Sequence, residues 1–320
     1  MKRTTKIWII TAISLLIVGC SLIIAALATN GWDFEGLKTS KYVSNEYVFE
    51  KDFDNISIST DTADVIFKES IDGKCRVECY EEESVQHKVS VNNGSLLIDA
   101  VNEKEWYEYI GINFGSPSVT IYLPKTEYSS LKIENDTGRI EIPKFVTLAN
   151  IELKTSTGTV KCYASASDEI NIKSRTGAIT VESITTKTLT VSVSTGNVKI
   201  KDVSCTDNIY VSVSTGKVNL TDVNCKSVAS EGDTGDIILN SVLATDTINI
   251  KRSTGDVKFD GSDALNIIVN TDTGDVSGSL LTGKSFITES DTGDIDVPNT
   301  LGSGRCEIST DTGDITIKIK

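Results

Sequence analysis

The chain has 320 residues, with 45 acidic and 31 basic side chains and a net charge of -14 at pH 7. A surface this acidic repels phosphate backbones and anionic headgroups, so its folded part is a poor binder of nucleic acid and of anionic lipid. The length admits one long domain or two ordinary ones.

Lys2, Arg3 and Lys6 precede an uncharged stretch from Ile7 to Ala28. As a helix, that stretch reaches about 33 Å, enough to cross a bilayer. Trp8 and Trp32 stand at its two ends, where indoles favour the headgroup region. The basic flank predicts an inside N-terminus, hence a single-pass cell-membrane protein whose C-terminal part is extracytoplasmic. Two other readings exist: a signal peptide cut after Ala26-Leu27-Ala28, and lipidation at Cys20 within Ile17-Val18-Gly19-Cys20. The apolar run is long for a signal peptide, and Leu22 to Ala28 stays apolar beyond Cys20 where a lipoprotein turns polar, which favours a retained anchor through residues 7–28. Residues 1–30 are therefore read as stub and anchor, and 31–45 as linker.

Residues 46–130 are expected to form an irregular first coil and an N-terminal cap. Ile56, Ile58, Ala63, Val65 and Phe67 alternate like one coil in which alanine replaces a corner glycine. Residues 74–125 read as strands with longer hairpins, one turning at Asn92-Asn93-Gly94. His87, the one histidine, lies in the alternating run Val85 to Val91 and reads as a solvated strand residue. Trp106-Tyr107-Glu108-Tyr109 is an aromatic loop. Trp106, Tyr107 and Tyr109 either bind a partner, for example by stacking on a sugar ring, or cover the open end of the core.

From residue 131 to 320 the pattern is regular. Ten Thr-Gly pairs recur every 19 or 20 residues, at Gly138, Gly158, Gly177, Gly196, Gly216, Gly235, Gly255, Gly274, Gly293 and Gly313. A fixed period of this length is the signature of a solenoid. Around Gly196, for example, Leu189, Val191 and Val193 alternate with polar residues, then come Val198 and Ile200. The links are too short for crossover helices, so the fold class is all-β: a parallel β-solenoid after one N-terminal transmembrane helix. Glycine at the corner supplies a positive φ, and the threonines before it are placed to stack as a ladder. A further apolar column seven residues after the glycine reads Ile184, Val203, Val223, Val242 and Leu281. At the chain's end Thr316, Lys318 and Lys320 alternate with isoleucines, which predicts a lysine-guarded edge strand. The seven cysteines read as small buried thiols. Cys205 and Cys225 occupy equivalent places, but their parallel Cβ vectors suit a disulfide poorly.

The Asp-Thr-Gly-Asp repeats, Tyr122-Leu123-Pro124-Lys125, Phe53-Asp54-Asn55-Ile56 and the single anchor resemble the bacterial "putative adhesin" domain family. The resemblance covers about residues 45 to 320. It implies a β-solenoid on a membrane-anchored envelope protein.

Carboxylates form two columns at the corner. Asp136, Asp233, Asp272, Asp291 and Asp311 stand two residues before the glycine; Asp236, Asp256, Asp275, Asp294 and Asp314 stand one after it. Stacked carboxylates repel and suit Ca²⁺, whereas Asp is also an ordinary turn residue. No EF-hand loop, nucleophile triad, zinc-ligand cluster or phosphate loop is visible, so no cofactor is expected beyond this calcium candidate. A solenoid lyase would need a base such as Arg139, Arg175 or Arg252, but these lie coils apart. The sequence thus reads as a non-catalytic envelope scaffold binding wall polymer or another surface protein. The alternatives are an envelope-stress regulator acting through a membrane partner and a calcium-dependent polysaccharide lyase.

Overall fold

A computed structural model describes residues 3–29, 31, 40–50, 52–106, 115–300, 302 and 304–320. Arg3–Thr29 is a single helix, and its stretch Thr4–Thr29, with a mean hydropathy of 2.7, is long and apolar enough to cross a membrane. The remaining regular structure is one 25-stranded sheet wound into a parallel β-solenoid.

Each coil gives one strand before its Thr-Gly corner and one after, and each strand pairs in parallel with its equivalents in neighbouring coils. After the corner, Ile179, Val198, Val218, Ile237, Val257 and Val276 stand in a single register column. All six are buried. Each such side chain contributes about 1.5–3 kcal/mol, and no coil could bury it alone.

The corner itself demands glycine twice over. Gly177 has φ +140°, and a Cβ there would lie 1.7 Å from the carbonyl oxygen of Gly158. That proximity comes from main-chain bonding: the Gly158 amide donates to the Thr176 carbonyl at 3.0 Å, and Gly177 to Thr195 at 2.9 Å. A second bend follows six residues later, where Ser183, Asp202, Asp222 and Ser241 hold φ of 52–57°. Short polar side chains tolerate this left-handed conformation better than others. In the Gly274 coil the second bend comes early, at Gly278 (φ +129°). Leu280 therefore takes the buried place and Leu281 is 43 % exposed, correcting the apolar column expected from spacing.

Neither end stacks in chain order. The first coil, Asn55–Thr60 and Asp64–Glu69, pairs on one side with Glu127–Thr137 and Ile140–Ile142. On its other side lie Ser95–Asn102 and Ser118–Leu123. The Val65–Ile140 register sets Ala63 beneath Gly138, as the alternation predicted. Antiparallel strands then close this end: Val85–Asn92 on Ser95–Asn102, Cys75–Glu82 on Ser118–Leu123, and Tyr42–Phe49 outermost. Asn93 and Gly94, with φ of 50° and 73°, make the two-residue hairpin turn.

At the other end, Gly304–Thr312 lies between Asn266–Thr273 and Lys284–Thr292. Ile315–Ile319 likewise lies between Val276–Leu280 and Ile295–Asp296. The outer neighbour covers only Ile315 and Thr316, so among the described residues Ile317–Ile319 has no strand on its outer side and Lys318 stands at an open edge as expected; Lys320 pairs with Asp260 at 3.1 Å. Cys306, Ile308, Ile315 and Ile317 bury fully in the inner place, while the outer coil sets Phe286, Thr288 and Ile295 against the first three.

Candidate functional site

Residues two to four places before the corner line an open groove of about 620 Å³ across five consecutive coils, from Ser59 to Ser194. At 4.8 Å per coil it runs about 20 Å. Its walls carry Asp61, Glu134 and Asp136 in the first two coils, Lys154, Lys173 and Arg175 in the next two, and Ser192 and Ser194 in the last. Glu134 meets Lys132 at 3.0 Å and Lys154 at 3.4 Å, and these ammonium groups hold its carboxyl below the usual range. Thr155 and Ser174, 6 % and 5 % exposed, also line the groove, and their hydroxyls have no hydrogen-bond partner. Both lie in the inward phase of their strands with their oxygens closed to solvent, as does the equally partnerless Thr271 outside the groove, so they face the core rather than a groove ligand.

The carboxylate columns lie at the corner beside that face. Asp233, Asp272, Asp291 and Asp311 are exposed. Because the last two coils exchange places, the spatial order is Asp272, Asp311, Asp291. The column after the glycine has a structural task. Asp236 accepts the amide of Asp256 at 3.4 Å, and Asp256 that of Asp275 at 3.2 Å. Asp275 then accepts from Asp314 at 2.9 Å, and Asp314 from Asp294 at 2.8 Å. Asn197 does the same for Lys217 at 2.9 Å, and Asp64 for Arg139 at 2.7 Å. A short acceptor here ties each coil to the next. Lys217, 2.8 Å from Asp236, also holds that carboxyl below its ordinary range.

Of the candidate arginines, Arg139 and Arg175 are exposed, but Arg252 is 1 % exposed and reaches no polymer. Its Nη1 donates to the Val213 carbonyl at 2.7 Å, in space left by Gly232, and burial lowers its pKa. Trp106 is 74 % exposed; Tyr107 and Tyr109 lie outside the described residues.

His87 departs from expectation. It is 4 % exposed, because the inward phase of Val85–Asn92 falls on it. Its Nδ1 lies 2.7 Å from Glu81 and its Nε2 2.9 Å from Thr60. Glu81 is itself 1 % exposed, in phase with Cys75, Val77 and Cys79. The sequence carried the signal in that phase: a carboxylate two residues beyond three buried inward positions needs a partner.

All seven cysteines are free, and six are buried. Burial pushes Cys75, Cys79, Cys162, Cys225 and Cys306 up to about 12, and raises Cys205. At pH 8 those five are expected to react with Ellman's reagent about a thousandfold more slowly than a free thiol, and Cys205 also more slowly, all speeding up once the chain unfolds. Rapid reaction of any of the six in the folded chain would contradict this burial.

No curated protein matches the chain significantly. Among solved structures, a "putative adhesin" from Bacteroides fragilis is 17% identical, with a TM-score of 0.39 over 87% of this chain and 97% of that one. A "putative lipid binding protein" from Parabacteroides distasonis is 15% identical, with a TM-score of 0.51 over 88% of this chain and 98% of that one. The latter shares the fold. A family model described as Toastrack DUF4097 matches residues 53–209 and 206–320. With nearly the whole strand-rich region matched, the chain belongs to the Toastrack DUF4097 family.

Proposed function

We propose that this protein is a non-catalytic envelope scaffold whose groove binds a polar wall polymer, held at the membrane by its N-terminal helix. The groove's mixed lining of serines, a carboxylate cluster and the basic cluster of Lys154, Lys173 and Arg175 carries the reading. A repeating polymer fits a repeating lining: hydroxyls for its hydroxyl and amide groups, a carboxylate cluster for amines, a basic cluster for carboxylates or phosphates. The chain's strong net acidity makes the cluster of Lys154, Lys173 and Arg175 a local exception, which suits a ligand bearing some negative charge.

The test is co-sedimentation of the purified full-length chain with cell walls, repeated in EDTA. Saturable binding is expected, and Lys154→Ala, Lys173→Ala and Arg175→Ala together should weaken it about tenfold or more. Calcium would enter at Asp233, Asp272, Asp291 and Asp311 with Asp236, Asp256, Asp275, Asp294 and Asp314, so lost binding in EDTA would assign those columns a second task. Absence of binding in both conditions would overturn the polymer reading and turn attention to a membrane partner.

A further inference from the structure

We propose that Cys79, Glu81 and His87 form a metal site for a borderline dication, zinc above all, inside the N-terminal cap. Among the described residues these three bring a thiol, a carboxylate oxygen and an imidazole nitrogen within 4.8 Å of one another, all buried. The fold makes this convergence locally. Cys79 and Glu81 share the inward face of Cys75–Glu82, and the tight turn that pairs Glu82 with Val85 brings His87 back onto the same face.

The donor set suits the ion. Sulfur, nitrogen and carboxylate oxygen are zinc's usual ligands, at bond lengths of about 2.0–2.3 Å. Those lengths separate tetrahedral ligands by roughly 3.3–3.8 Å, so the cluster needs only small side-chain adjustments. The charge balances as well: a dication with one thiolate and one carboxylate is neutral, which a site this buried favours. Without such an ion, the Cys79 thiol makes no hydrogen bond among the described residues.

Outer contacts are already in place. Asn45 Nδ2 donates to Glu81 Oε1 at 2.6 Å, leaving Oε2 on the side of His87. Thr60 Oγ1 lies 2.9 Å from His87 Nε2, where it can accept that N–H and leave Nδ1 to ligate. Partners of this kind orient metal ligands and set their basicity. An open cavity of about 360 Å³, lined by Tyr47, Glu83, Gln86, Lys88 and Glu103, borders the site at His87.

Cobalt titration of the full-length chain in detergent, in a Cys20→Ser background, tests the site. One equivalent is expected to bind with a thiolate-to-cobalt charge-transfer band, and zinc should displace it. Cys79→Ser should abolish the band at unchanged circular dichroism, and Asn45→Ala should weaken binding about 10- to 100-fold. If the folded parent chain takes up neither cobalt nor zinc, or if the band survives Cys79→Ser, the site is refuted. Uptake by the parent chain needs no residue of the site altered, so a variant that fails to fold leaves the test decisive. The groove reading stands or falls separately, because none of Cys79, Glu81 and His87 lines the groove, and only Thr60 borders both.

Discussion

Gly177→Ala is expected to lower the unfolding free energy by about 3–5 kcal/mol. Two costs combine. A non-glycine residue held at positive φ is strained by about 1–3 kcal/mol. Forcing a methyl into a filled site adds about 1–3 kcal/mol. Here the methyl would lie 1.7 Å from a main-chain oxygen, so the coil itself would have to move. Gly73→Ala supplies the comparison: its φ is +77° but no atom lies within 4 Å of the added carbon. That substitution should cost only the conformational part, about 1–2 kcal/mol. Urea unfolding followed by strand circular dichroism measures both. Equal losses at the two sites would mean that close stacking at the corner contributes nothing.

Removing residues 304–320 should disorder more than it deletes. In a solenoid stacked in chain order, losing the last coil leaves the previous one in place. In this protein, Lys284–Thr292 and Ile295–Asp296 pair only with the strands that would be removed. The deletion also takes away Cys306, Ile308, Ile315 and Ile317, each buried side chain worth about 1.5–3 kcal/mol. Hydrogen exchange is the measurement. Residues 284–296 should lose protection by orders of magnitude while residues 237–257 keep theirs. Retained protection at 284–296 would show that this coil can dock directly on 266–280, overturning the exchanged order.

Much of the fold was legible because the repeat is a local code. Period-two alternation marked each strand, and Thr-Gly marked each corner at the right residue. What escaped depended on comparing coils rather than reading one. The second bend was written in Ser183, Asp202, Asp222 and Ser241, but short polar residues are also common on exposed strands. The exchanged last coils left no local mark, since Ile308 faces Thr288 but Cys306 faces Phe286 and Ile315 faces Ile295. His87 was misread because alternation gives two phases and only the position of Val89 and Val91 says which is inward. The groove was illegible for a further reason: its lining comes from five coils, each contributing ordinary serines, threonines and lysines.

The exchanged order has a consequence for how the chain is made. A ribosome delivers residues 284–296 before 304–320, so the exposed rim of the 266–280 coil first meets the wrong neighbour. At about 5–20 residues per second, the correct one follows within a few seconds. Final closure therefore requires that a provisional coil yield its place or be kept from taking it. A zipper that runs from one end to the other cannot finish this molecule; its last tooth has to be set from the side.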